Sequence, residues 1–119
     1  MNSVLEQFIR DTGVEDLTED FDAPLVLRLE SSGRLFFEGV DGHTLVYLES
    51  GRDHADVATL ERALRACDIK ARLPVPVRAA LGSHDHVVFG VRFADEALTT
   101  QLLHQTVDLL IDMEREILG

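Results

Sequence analysis

The chain is 119 residues long and strongly acidic: 22 Asp and Glu stand against 11 Lys and Arg, for a net charge of −11. That length supports one domain over residues 1–119 with a modest core, and such a charge repels phosphate backbones, so no nucleic-acid partner is expected. No run of about 18 apolar residues occurs, so no membrane insertion is expected; the N-terminus lacks the basic and apolar regions of a secretory signal; and the single Cys67 excludes an internal disulfide and fits a reducing compartment such as the cytoplasm.

In chain order, Ser3 to Asp11 reads as a short helix. Ser3 and Glu6 have capping-box spacing, in which each side chain satisfies the other residue's backbone N–H, and Gly13 is a stop. Val4, Leu5, Phe8 and Ile9 share one face. Thr12 to Pro24 carries five acidic residues and few apolar anchors, and reads as a loop.

Leu25–Glu30, Arg34–Val40 and Thr44–Glu49 then form an antiparallel meander. Ser31-Ser32-Gly33 and Asp41-Gly42 connect them; an Asp-Gly pair between apolar runs marks a two-residue hairpin, because Gly accepts the positive φ the turn requires. Side chains alternate across a strand. One face gathers Leu25, Leu27, Leu29, Leu35, Phe37, Val46 and Leu48. The other gathers Val26, Phe36, Leu45 and Tyr47, mixed with Arg28, Glu30 and Glu38. A solvated face alternates apolar with polar residues, so these apolar side chains call for a cover, from this chain or from a partner.

Asp53 or Asp56 caps a second helix running to about Cys67. Val57, Leu60, Leu64 and Cys67 make a narrow stripe, the spacing of two helices packed along each other, and Ala58, Ala63 and Ala66 permit close approach. Ordinary core packing and a dimer seam both fit that stripe. Leu73 to Leu81 reads as a fourth strand; Pro74 and Pro76 cannot donate to a ladder, which places it at an edge or a bend. With a twofold partner in view, Val57, Leu60, Leu64, Val75 and Val77 are the expected dimer residues. His86 to Phe93 is a fifth strand, with Val87, Phe89, Val91 and Phe93 alternating with His86, Val88, Gly90 and Arg92. Asp95 is the expected cap of a long helix to Leu118, whose stripe of Leu98, Leu102, Leu109, Met113 and Ile117 is widened by Leu103, Val107 and Leu110. The order is α-β-β-β-α-β-β-α: an α+β fold with helices against an antiparallel sheet.

That element order, the acidic charge, the size and the closing run His86-Val-Val-Phe-Gly-Val-Arg-Phe-Ala-Asp-Glu before a long amphipathic helix resemble the class I chaperones of bacterial type III secretion, the Tir-chaperone or CesT-like family. The two prolines of the fourth strand depart from the Gly-rich approach common in that family. The resemblance implies a cytoplasmic homodimer that binds the N-terminal region of a secreted effector in extended form and keeps it competent for export. The YbjN-like proteins share the fold, and a regulator of that kind is the alternative. An extended segment can add to a sheet edge and seat alternate side chains in apolar pockets; Val4, Leu5, Phe8, Val26, Phe36, Leu45 and Tyr47 are the expected partner-binding residues.

Catalytic chemistry is weakly signalled. His84-Asp85-His86 lacks a second ligand cluster, and a metal site needs three or four convergent ligands. Cys67 with His104 would be the nucleophile and base of a small enzyme, but a thiol on an apolar helical seam is inert. Arg28, Arg34, Glu30 and Glu38 read as surface charges in cross-strand pairs. With no phosphate-cradling Gly loop, no nucleotide or other cofactor is expected, and no enzyme.

Overall fold

A computed structural model describes residues 3–12, 25–29, 33–51, 56–68, 75–82 and 85–118. Its elements are α1 (Ser3–Thr12), β1 (Leu25–Leu29), β2 (Gly33–Val40), β3 (His43–Ser50), α2 (Val57–Ala66), β4 (Arg78–Leu81), β5 (Val87–Ala94), a 3-10 turn at Asp95–Ala97 and α3 (Thr100–Leu118). The expected order α-β-β-β-α-β-β-α stands. The strands form one antiparallel sheet in the order β1-β2-β3-β5-β4.

Local chemistry explains the meander. Asp41 and Gly42 both take positive φ, 48° and 76°, the paired left-handed conformation whose twist matches that of the flanking strands. Gly33 sits at φ 119°, and a Cβ there would lie 2.0 Å from the Glu49 carbonyl oxygen. Only glycine lets β2 begin so close to the end of β3.

The helices cover one face of the sheet. Leu35, Phe37, Val46, Leu48, Val87, Phe89, Val91 and Phe93 are buried there, and α3 lies over β3 and β5. Leu103, Leu110 and Met113 form the buried centre of α3, while Leu102, Leu109 and Ile117 lie at its margins. Against α3 pack α1, through Phe8, whose ring sits 5.4 Å from Phe37 and 4.7 Å from the His104 ring, and α2, whose buried residue is Ala63. Glu114 of α3 is buried and accepts a hydrogen bond from Ser50 Oγ at 3.2 Å.

Two expectations change. Asp95 does not cap α3. Its carboxylate accepts from Thr44 Oγ1 at 2.6 Å and its N–H donates to the Gly42 carbonyl at 3.0 Å, so it ties the start of α3 to the hairpin. The capping side chain is Thr99, whose Oγ1 accepts from the Leu102 N–H at 3.1 Å. The fourth strand begins only at Arg78, after the Pro76 that cannot enter a ladder; Leu73 and Pro74 lie outside the described residues. Of the charged cross-strand pairs, Arg28 faces Arg34 across β1 and β2 as expected, and Arg34 also binds Glu49 on β3. Asp56 does cap α2, accepting from the Thr59 N–H at 2.8 Å. Glu30, Asp53, His84 and residues 13–24, the stretch expected to be a loop, lie outside the described residues.

Candidate functional site

The second face of the sheet carries no described helix. Register fixes which side chains meet on it. Val26, Phe36, Tyr47, Gly90 and Arg78 form one row across all five strands. Glu38, Leu45 and Arg92 form the row on one side of it, and Arg28, Arg34, Glu49, Val88 and Ala80 the row on the other. The middle of this face is aromatic. Phe36 and Tyr47 stack with centroids 4.8 Å apart and planes 7° from parallel. The Arg34 guanidinium lies 5.4 Å from the Phe36 ring centre while it is bound to Glu49. Partial burial, then the charge and hydrogen bond of Glu38, then the charge of Glu49, push the Tyr47 hydroxyl above its usual pKa, so it stays protonated and donates.

Beside the aromatic pair the face is hollow. Gly90 leaves a gap in its row, and a groove of about 500 Å³ runs over it, walled by Leu45 and Tyr47 on one side and by Pro76, Arg78 and Ala80 on the other, with Arg92 at its end. A Cβ on Gly90 would come 3.3 Å from the Tyr47 Cβ, so a larger residue there would press on Tyr47 beneath the groove. Such a groove, apolar with a few polar groups at its rim, suits an extended chain with alternating side chains.

The expected partner-binding residues divide. Val26 is 42% exposed, and Phe36, Leu45 and Tyr47 are half-buried; all four share the open face. Leu5 and Phe8 are 7% and 1% exposed. The stripe of α1 is consumed by β2 and α3, so these two side chains belong to the core and offer no surface; Val4 is half-buried at the edge of that contact. The expected dimer residues divide as well. Val57 and Leu64 are 74% and 50% exposed, with Leu60 half-buried between them. The core takes only the other edge of the α2 stripe: Ala63, Ala66 and Cys67. Val77 is 3% exposed and belongs to the core rather than to an exposed surface, and Val75 packs half-buried against the same core.

Arg78, Gly90 and Arg92 were not singled out from the sequence. The alternation of β5 already put Val88, Gly90 and Arg92 on one face; the missing information was that this face adjoins Tyr47 and Arg78, which only the β3–β5–β4 pairing supplies. The catalytic alternatives gain nothing. Among the described residues no group of three His, Cys, Asp or Glu could hold a metal ion. Burial pushes the Cys67 thiol up, away from the reactive thiolate. His104 meets Asp11 at 3.3 Å and the Phe8 ring, both on α1. Among the described residues no helix is long and apolar enough to cross a membrane.

Residues 1–118 match the family model described as type III secretory system chaperone SycN. No curated protein matches the chain in sequence. Among solved structures it is similar to a chain of the heterodimeric ExoU–SpcU complex from the type III secretion system of Pseudomonas aeruginosa, with a TM-score of 0.74 and 19% identity over 95% of this chain and 93% of that one. It is similar to the Yersinia pestis type III secretion chaperone SycH solved with a stable fragment of YscM2, with a TM-score of 0.71 and 14% identity over 98% of each chain. YbjN from E. coli also shares the fold, with a TM-score of 0.62 and 18% identity over 99% of this chain and 89% of that one. At these identities the three structures speak for the architecture, and the family model speaks for the family.

Proposed function

The chain belongs to the type III secretory system chaperone SycN family, and from that premise we propose that it holds the N-terminal region of a secreted effector, in extended form and in the bacterial cytoplasm, on the open face of its sheet. The protein catalyses no reaction in this role and needs no cofactor. The observation that carries the assignment of the surface is the half-buried Phe36–Tyr47 stack beside the Gly90 groove, on the face that no described helix covers. SpcU and SycH, which share the fold, were each solved in a complex, with ExoU and with a fragment of YscM2.

The energetics suit a disordered client. Ordering such a segment costs about 2–5 kcal/mol of the gross interaction. Burying a large apolar side chain completely gives about 1.5–3 kcal/mol. Val26, Phe36, Leu45 and Tyr47 are already partly covered, so about 1 kcal/mol each, about 4 kcal/mol together, is a fair share; this is comparable to the ordering cost, and backbone pairing at an edge strand adds to it. β1 and β4 are the two edges of the described sheet.

The exposed Val57 and Leu64 of α2 support a homodimer, formed by the unused edge of the stripe meeting its copy. Stable interfaces bury about 1,200–2,000 Å² in total, which requires α2 and its surroundings rather than two side chains alone.

Co-purification from the native host tests the function. The expected partner is a substrate of a type III secretion apparatus, protected from protease in its N-terminal region, and lost when Phe36 and Tyr47 are both replaced by Ala. A partner that is not exported, or one retained equally by the double variant, refutes the reading.

A further inference from the structure

The charge on the open face runs against the charge of the chain. The chain as a whole has twice as many acidic as basic residues. Among the described residues of the open face, however, four are arginines, Arg28, Arg34, Arg78 and Arg92, and two are glutamates, Glu38 and Glu49. Glu49 is bound to Arg34, and neither glutamate lines the groove. Arg78 and Arg92 are exposed and have no hydrogen-bond or ion-pair partner among the described residues. They are also neighbours. Arg78 lies opposite Gly90 in the β4–β5 register, and Arg92 stands two residues further along β5 on the same face. That is the diagonal relation of a sheet, with backbones about 7–8 Å apart and long side chains within common reach. Both line the groove, and every charged side chain that lines it is an arginine.

We infer that the groove selects a client segment in which an Asp or Glu sits next to aliphatic side chains: the aliphatic groups fill the hollow over Gly90 between Tyr47 and Ala80, and the carboxylate is held between Arg78 and Arg92. This deepens the proposed function and rests on it. The guanidinium fork matches a carboxylate with two parallel N–H donors, giving short, directional bonds that a solvated lysine would not. Selectivity follows from the setting. A cationic client side chain meets no carboxylate in the groove lining and faces two arginines. An acidic one completes them. At physiological ionic strength the Debye length is about 8 Å, so the distant negative charge of the chain is largely screened while the contact pair is not.

Selection from a phage-displayed random dodecapeptide library at about 0.15 M salt, against the full chain, tests this. For an acidic protein with no such clamp, the enriched peptides should be basic. The expected result is the reverse: enriched peptides carry Asp or Glu flanked by Val, Leu or Ile. A synthetic copy of the leading peptide should bind about tenfold more tightly than its twin with Gln or Asn in place of the acid, a difference of about 1.4 kcal/mol. The Arg78→Gln/Arg92→Gln variant should bind the two copies equally, and Arg78→Glu/Arg92→Glu should enrich basic peptides instead. Enrichment without acidic residues, or the same acidic enrichment from the arginine variants, overturns the inference. Tyr47→Ala separates it from the reading beneath: peptides that bind this variant as well as the parent do not use the open face, whereas non-acidic peptides lost with Tyr47→Ala leave the face as the binding surface and remove only the carboxylate.

Discussion

Phe36 and Phe89 are both sheet residues of the same type, and the fold assigns them opposite duties. Phe89 is fully buried beneath the helices. Truncation to Ala removes a ring that the surroundings cannot fill, at a cost of about 3–5 kcal/mol. Against a total stability of about 5–15 kcal/mol that is a large loss. Phe36 stands on the open face, half-buried, and its contacts can be itemised. The parallel stack on Tyr47 contributes about 0.5–1.5 kcal/mol, and the guanidinium of Arg34 over the ring about 0.5–1 kcal/mol. Phe36→Ala should therefore cost about 1–2.5 kcal/mol. This exceeds what an isolated exposed ring would cost, because the stack stiffens the face before any client arrives. Urea unfolding of both variants gives the comparison directly, through the shift in midpoint at unchanged slope. Client affinity, measured under conditions where both proteins are folded, should fall about five- to tenfold for Phe36→Ala, about 1 kcal/mol or slightly more. Equal destabilisation by the two substitutions would refute the reasoning, since Phe36 would then be a core residue and the open face would be closed.

Leu64→Glu should convert a dimer in micromolar solution to monomer, read by light scattering, without unfolding it, because Leu64 is 50% exposed on its own chain; a monomeric mass for the parent protein refutes the dimer. Gly33→Ala should destabilise by more than the 1–3 kcal/mol or so of left-handed strain, since its Cβ would also meet the Glu49 carbonyl at 2.0 Å; a melting temperature equal to the parent's would contradict that collision. The Asp11 carboxyl is held below its usual 3.8 first by the hydrogen bond from Gln7 and then by His104. A carboxyl lowered on folding stabilises the native state above its unfolded pKa, and that contribution disappears as pH falls through the native value. The difference in stability between the parent and Asp11→Asn should therefore be present at pH 7 and absent at pH 2; a difference that grows on acidification would reverse the sign. Cys67 should react with iodoacetamide at pH 7 more slowly than free cysteine, as burial raises its thiol pKa.

Much of this architecture was legible because it is written in neighbours. The Asp41-Gly42 turn needs only two residues with positive φ, and the alternation of β5 needs only its own side chains. What was not legible depended on a third party. Asp95 and Thr99 are both good caps four residues apart. The choice between them was made by Thr44, 51 positions away, which claims the Asp95 carboxylate. The stripes of α1 and α2 look alike as apolar patterns. Phe8 is buried because Phe37 and His104 enclose it. Leu64 stays exposed because Ala63, beside it, is the residue that faces the core. A pattern shows that a side wants cover; it does not show whether the cover comes from the same chain.

The candidate site is the extreme case of that dependence, and the strand order explains why. After β3 the chain leaves through α2 to the far edge of the sheet, lays down β4, and only then returns with β5 into the space between. Tyr47 and Arg78 belong to strands that do not pair, and Gly90, opposite both, is what opens the groove between them. A larger residue at 90 would press on β3 and fill the hollow, so the same substitution would touch packing and the proposed binding together. All three described helices meanwhile serve the opposite face, so the aromatic pair and the two arginines without a partner among the described residues lie on the side that no described helix covers. Interior positions of the sheet are thus divided by face: one holds the buried core, and the other is the surface proposed for a partner. The mixture of Val26, Phe36, Leu45 and Tyr47 with charged residues, which no ordinary solvated face requires, is the sequence-level trace of that division.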